Sequence, residues 1–319
     1  MRGSASFAFS SPDEFGSKLS DLGMEILVNG PGRFQAQLSY VECDSIRLVL
    51  CHEWLPRIGR LAIAADRVCL MFQTNSGPSA KLGEFEVSFG DVALLGAGHR
   101  CHMRTPGDFR WAAITFDPRR LPPAQRALIG EQIHDSDTAC IFKPTRPRLR
   151  RLSRLLRRAV EAGETAAELL HIEGAAKGLE AALADAAIAC VSGCSANQAS
   201  PRYRQQTRVL NRFDDLFQDS CSPALEPSQV AAALGVPVQE WRECCSDQLG
   251  MSPESYMRLR QLNKVRRDLE HADPMIAEVA DIAARRSFAD PVEFAAEYRE
   301  LFGETPSTTL HRTVIGEDL

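Results

Sequence analysis

No apolar run in this sequence approaches the ~18 residues that a membrane-spanning helix needs; stretches such as Ala186 to Val191 fall far short. The N-terminus, Met1-Arg2 followed by Gly, Ser and Phe, also lacks a sustained apolar segment. No signal peptide and no membrane association are therefore expected, and the chain reads as cytoplasmic. Neither charge sign dominates: 37 Lys and Arg stand against 42 Asp and Glu, for a net charge of -5. That excludes a strongly basic tail or a wholly cationic surface. No C-x-x-C pair occurs among the 10 cysteines. They are scattered singly or adjacent, as at Cys244-Cys245, and read as small buried hydrophobes. His99-x-x-His102 has no third ligand nearby, so no metal is expected. No nucleophile–base–acid set or phosphate loop stands at credible spacing, so neither an enzyme nor a cofactor is indicated.

What is present is the balance of a soluble globular protein, 44% hydrophobic and 25% charged, long enough for about two domains. Residues 1–123 carry short apolar or alternating runs: Phe34 to Leu38, Ile46 to Leu50, Arg67 to Phe72, Phe85 to Phe89 and Trp111 to Phe116. Gly, Pro, Asn and Asp turns separate them, which predicts an antiparallel β barrel or sandwich. A helix is predicted around Asp13 to Leu22, with Ser11 or Asp13 as its N-cap.

Residues 124–190 change texture to Leu, Ala, Arg and Glu at helical spacing, predicting a helical extension. Leu149, Leu152, Leu155, Leu156 and Val160 form one stripe, which makes them dimer-interface candidates. Seven arginines and no acid lie between Arg146 and Arg158. They read either as a phosphate-binding patch or, preferably, as a solvated face paired with acids elsewhere. Residues 191–203, small and polar, suit a flexible linker.

The remainder, 204–312, contains one pattern twice. Val230-Ala-Ala-Ala-Leu-Gly-Val236 and Ile282-Ala-Ala-Arg-Arg-Ser-Phe288 are offset by 52. Trp241, Gly250 and Pro253 match Phe294, Gly303 and Pro306 at an offset of 53. Each copy has what a helix-turn-helix needs. A short helix bears Ala at the crossing, and Gly235 can take positive φ in the turn of the first copy. Pro237 and Pro291 suit the first turn of the second helix. Gly250 and Gly303 suit its C-cap, with Pro253 and Pro306 stopping continuation.

These motifs, with Leu249-Gly-Met-Ser-Pro-Glu-Ser-Tyr256, Arg258 to Leu269, Val279 to Ala283 and Phe294 to Ser307, resemble the C-terminal domain of AraC/XylS-family transcription regulators. The wording of the middle helix is similar to regulators of the ethanolamine-operon type. The resemblance implies an α+β chain: an N-terminal cupin-like barrel that binds an effector or dimerises, and an all-α double helix-turn-helix that reads two major grooves of double-stranded DNA. The His-x-His…Glu signature of metal-binding cupins is absent.

Base-contact candidates are Val238, Gln239, Arg242 and Glu243 in the first reading helix, and Val292, Glu293 and Ala296 in the second. Phosphate-contact candidates are Arg258, Arg260, Lys264, Arg285, Arg286 and Arg299. Effector-pocket candidates are Arg47, His52, Trp54, Arg57 and His102.

The family commonly has basic residues at the positions of Gln239 and Ala296, and a turn Gly at that of Ser287. From Arg202 onward, fourteen Lys and Arg face twenty Asp and Glu. Weak, salt-sensitive DNA binding that depends on a homodimer or on RNA polymerase is therefore expected. The alternative is a protein-interaction module on the same scaffold with degenerate or absent DNA binding.

Overall fold

The computed structural model describes residues 3–130, 139–217 and 226–315. The chain opens with β1 (Gly3–Phe9) and α1 (Pro12–Ser17), followed by β2 (Glu25–Val28), β3 (Ala36–Glu42), β4 (Ile46–Glu53), β5 (Arg57–Ala62), β6 (Val68–Gln73), β7 (Ala80–Leu82), β8 (Phe85–Val87), β9 (Val92–Leu95), β10 (Arg100–Thr105) and β11 (Phe109–Phe116). Next come α2 (Pro123–Gly130), β12 (Ala139–Phe142), α3 (Arg146–Thr165), α4 (Glu173–Val191) and β13 (Asn197–Gln198). The last part is helical: α5 (Pro201–Phe217), α6 (Pro227–Leu234), α7 (Val238–Cys244), α8 (Pro253–His271), α9 (Val279–Arg285), α10 (Pro291–Phe302) and α11 (Pro306–Ile315).

The strands form two antiparallel sheets. The larger has the order β1-β3-β4-β11-β6-β9-β12-β13, the smaller β2-β5-β10-β7-β8. Alternation sorts the large sheet's side chains. On β11, Phe109, Trp111 and Ala113 enter the core between the sheets, while Ala112, Ile114 and Phe116 face the other way. Both faces are therefore apolar, and the outer one needs a cover. α3 and α4 supply it.

This corrects the reading of the leucine stripe as an open seam. Leu149, Leu152, Leu156 and Val160 are buried, and Leu155 is half-buried, in one cluster with Leu48, Leu70, Leu94, Ile114 and α4 residues Leu183 and Ile188. Burial of each such leucine contributes about 2 kcal/mol. The apolar face is used within the chain, and from Arg146 to Arg158 what faces solvent on α3 is mainly arginine.

Three further differences concern boundaries. The N-terminus begins as a strand paired along its length with β3, and the predicted helix is confined to six residues, with Ser11 accepting from Glu14 N–H. The helical extension contributes β12 to the large sheet. The linker contributes β13, which pairs with β12 through Gln198 and Asn197, so this segment is anchored rather than free.

The helical part docks on the smaller sheet. Asn263 of α8 accepts from Val28 N–H at 3.0 Å and donates to Val28 O at 3.2 Å. Arg267 pairs with Asp13 at 2.6 Å, and Arg100 of β10 with Asp215 of α5 at 2.7 Å. Gly32 N–H donates to Leu301 O at 3.1 Å, tying the end of α10 to a barrel loop. The Tyr203 ring sits over Gly83, where a Cβ would lie 2.0 Å from the ring.

Candidate nucleic-acid interface

The two copies share one turn geometry, and backbone hydrogen bonds show why. Val236 N–H donates to Ala231 O at 3.0 Å, and Phe288 N–H donates to Ala283 O at 3.1 Å, the same bond 52 residues on. Each bond requires a left-handed residue just before it. Gly235 takes φ 67°, and Ser287 takes φ 66° although it carries a Cβ. The second copy therefore stores about 1 kcal/mol of backbone strain where the first has none.

Gly250 and Gly303 cap the ends of the second helices at φ 72° and 68°. The prolines need adjustment. Pro291 is inside the first turn of α10, but Pro237 is the N-cap residue of α7. Pro253 and Pro306 open α8 and α11 as well as ending what precedes them.

Aromatic packing holds both reading helices by one side. Trp241 of α7 is buried against Phe213, with ring centroids 4.9 Å apart. On α10, Phe294, Tyr298 and Phe302 are buried at i, i+4, i+8, with Tyr298 Oη 2.8 Å from Thr309 Oγ1. The opposite sides face solvent. Gln239 and Arg242 are exposed on α7, with Val238 and Glu243 partly so. On α10, Val292 is 78% exposed, and Glu293, Ala296, Arg299 and Glu300 are also exposed. Neither reading face is covered by the barrel.

The acids that sequence reasoning set against DNA binding are partly neutralised. Arg202 of α5 lies 3.2 Å from Glu243 and 2.9 Å from Asp247. Gln206 donates to Asp247 at 2.7 Å, Gln239 to Glu243 at 3.2 Å. On α10, Glu297 pairs with Arg258 at 2.8 Å. Asp290 spends its carboxylate on the N–H groups of Val292 and Glu293. Open acids remain at Glu293 and Glu300.

The phosphate candidates on α8 are corrected. Arg260 is buried, its guanidinium 2.5 Å from Asp214 and stacked on the Phe213 ring at 5.0 Å. Arg258 is held by Glu297 and lies over the Phe288 ring at 4.1 Å. Lys264 donates to Phe217 O, and Arg286 pairs with Asp268 at 2.8 Å. α8 packs against both lobes and the barrel, so its cations meet the chain's own acids and carbonyls before any ligand. Arg285 and Arg299 are cations of the reading region without a carboxylate partner among the described residues, whereas exposed Arg242 acts on the Glu254 carboxylate.

The effector candidates do not converge. Arg47 donates to Ser20 Oγ and Lys18 O. Arg57 forms a fully buried pair with Glu53 at 2.5 Å, and Trp111 Nε1 donates to the same carboxylate. His102 Nε2 lies 3.3 Å from Asp214 at the docking surface. Trp54 is 37% exposed, its ring tilted against that of His52. Of these five, His52 alone lines a cleft of about 880 Å³ between the large sheet and α3. Sequence reasoning missed that cleft because its walls come from β3, β4, β11 and α3; the acid-free arginine run was its one local signal.

The nine described cysteines form no disulfide, and all but Cys194 are buried. Burial pushes the Cys101 thiol up to about 12 and that of Cys190 to about 11, leaving both protonated and unreactive.

Residues 230–312 match a helix-turn-helix domain family. The chain is 35% identical over 100 residues to a probable thc operon regulatory protein of Rhodococcus erythropolis, covering 31% of this chain and 30% of that one. It is 36% identical over 118 residues to XylDLEGF operon transcriptional activator 3 of Pseudomonas putida, covering 37% and 36%. The chain thus spans about a third of the length of these relatives. The crystal structure of the AraC-like transcriptional activator CuxR superposes with TM-score 0.45 and 12% identity over 90% of this chain and all of that one.

Proposed function

Given that its C-terminal third is a helix-turn-helix domain of the AraC/XylS type, we propose that this chain is a sequence-specific DNA-binding transcription regulator, acting as an activator in the cytoplasm. One observation carries the reading. Two copies of a motif with the same turn bond each present a reading helix packed by one side and open on the other. A bundle built only for packing has no need to repeat an open helix.

Val238, Gln239, Arg242 and Glu243, with Val292, Glu293 and Ala296, are the base-reading surface. Gln239 suits adenine and Val292 a thymine methyl. Arg285 and Arg299 take phosphates. With so few open cations, a single chain binds weakly, so productive binding is assigned to a homodimer or to a complex with RNA polymerase. The barrel is the effector-sensing part. The α3 stripe being internal, dimerisation falls to another surface.

The test is selection of bound duplexes from a random pool by the full-length protein. The expected result is an enriched site with two contacted segments about 10 bp apart, one helical turn. Gln239→Ala with Val292→Glu abolishes the enrichment. No enrichment at any ionic strength would favour a protein-interaction role.

A further inference from the structure

We propose that the cleft between the outer face of the large sheet and α3 is a binding site for a small molecule bearing two or more phosphate groups. Its helical wall carries four arginines. Arg146, Arg150 and Arg154 stand at i, i+4, i+8 with Arg157 beyond, and Arg110 faces them from β11. All five are exposed. Successive guanidiniums along such a helix start about 6 Å apart, and like charges at that spacing repel.

Outside α3 and the reading helices, many arginines are not left this way. Arg57, Arg100, Arg258, Arg260 and Arg267 each have a carboxylate within 3 Å. The chain has acids in excess, yet among the described residues none pairs with the five cleft arginines. The arginines are solvated, as the preferred sequence reading has it, but among the described residues they lack the acidic partners which that reading supposed. His52, which lines the cleft, is bonded through Nε2 to the Asp108 carboxylate at 2.6 Å.

Two further features define the ligand. Asn75 Oδ1 is buried at the cleft without a hydrogen-bond partner, positioned for an N–H or O–H donor. Phe89 is 53% exposed at the same wall, where its ring face suits a planar or apolar group. A volume of about 880 Å³ admits a nucleotide-sized molecule. Guanidiniums match phosphate oxygens two at a time, which a lysine-lined cleft would not do.

Calling the ligand an effector rests on the regulator reading; binding itself does not, and it is measured without DNA. Full-length protein is titrated calorimetrically with inorganic triphosphate and with ATP. The expected result is saturable binding to both, tighter for ATP. Arg150→Glu with Arg154→Glu should weaken it at least about tenfold. Arg151→Glu with Arg158→Glu, an equal charge change on exposed residues of the same helix outside the cleft, should change it less than about twofold. Circular dichroism confirms that both variants fold, as expected for exposed side chains. No saturable binding at millimolar probe, equal losses in the two variants, or binding only to phosphatidylglycerol vesicles would each overturn the proposal. Loss of DNA recognition with ligand binding intact would refute the regulator reading alone.

Discussion

Replacing Asp214 by alanine should cost about 3–5 kcal/mol, while replacing it together with its partner should cost far less. Asp214 lies on α5 and has no solvent exposure. Its carboxylate accepts from Arg260 of α8 at 2.5 Å and lies 3.3 Å from His102 of β10, so it joins the barrel to α5 and α8. Removing it leaves the Arg260 guanidinium buried between Phe213 and Tyr256, with the Tyr256 hydroxyl 3.2 Å away as its remaining described hydrogen-bond partner. An uncompensated buried cation carries most of the cost; the pair itself contributes little beyond what apolar packing would. In Asp214→Leu/Arg260→Met the net loss should be about 1 kcal/mol, roughly 2–4 kcal/mol less than for Asp214→Ala alone.

Urea titration followed by tryptophan fluorescence measures this, since Trp241 packs on Phe213 beside the pair. An Asp214→Ala loss below about 1 kcal/mol, or a double variant as unstable as the two single losses added, would refute the reasoning. The same titration against pH supplies a second check. Burial alone would raise the Asp214 carboxyl, but His102 and Arg260 outweigh it and hold it down to about 2. The folded state therefore binds the proton less readily than the unfolded chain. The resulting stabilisation, about 2 kcal/mol, is complete above pH ~4 and disappears as pH falls from ~4 to ~2.

Other outcomes follow from the same geometry. Ser287→Gly should stabilise the chain by about 0.5–1 kcal/mol by relieving the Cβ at φ 66°, read as a rise in thermal midpoint with DNA affinity unchanged. Gly83→Ala should cost about 2–3 kcal/mol, because the new Cβ meets the Tyr203 ring in a left-handed turn; limited proteolysis between residues 191 and 200 should accelerate. Fluorescence anisotropy on duplex DNA should give a log–log salt slope of about -2 per chain from the phosphate contacts of Arg285 and Arg299. Gln239→Arg and Ala296→Arg should each steepen that slope by about 1 and tighten binding several-fold.

The double motif was legible because its turn chemistry is local: Gly235, Ser287, Gly250 and Gly303 sit where backbone hydrogen bonds demand left-handed residues, and the repeat put them at matching offsets. The strand-rich N-terminal region was legible from its turns. β12 and β13 were not, since strands of four and two residues show no period that distinguishes them from surrounding helix or loop. The stripe on α3 shows that a face must be covered; it does not say by what. The fate of α8's cations was hidden for a related reason. Arg260 finds its acid 46 residues away and Arg267 finds its acid 254 away, separations that local pattern reading does not reach.

The large sheet, apolar on both sides, works as a partition. Behind it lie the smaller sheet and the docked reading domain; in front of it lie α3 and the arginine cleft. Substitutions on the helix side can retune what the protein recognises in solution without disturbing Asn263, Asp214 or Leu301. Changes to the reading helices likewise leave the cleft intact. Under the proposed function, a lineage built on this plan can exchange its chemical input and its genomic address one at a time.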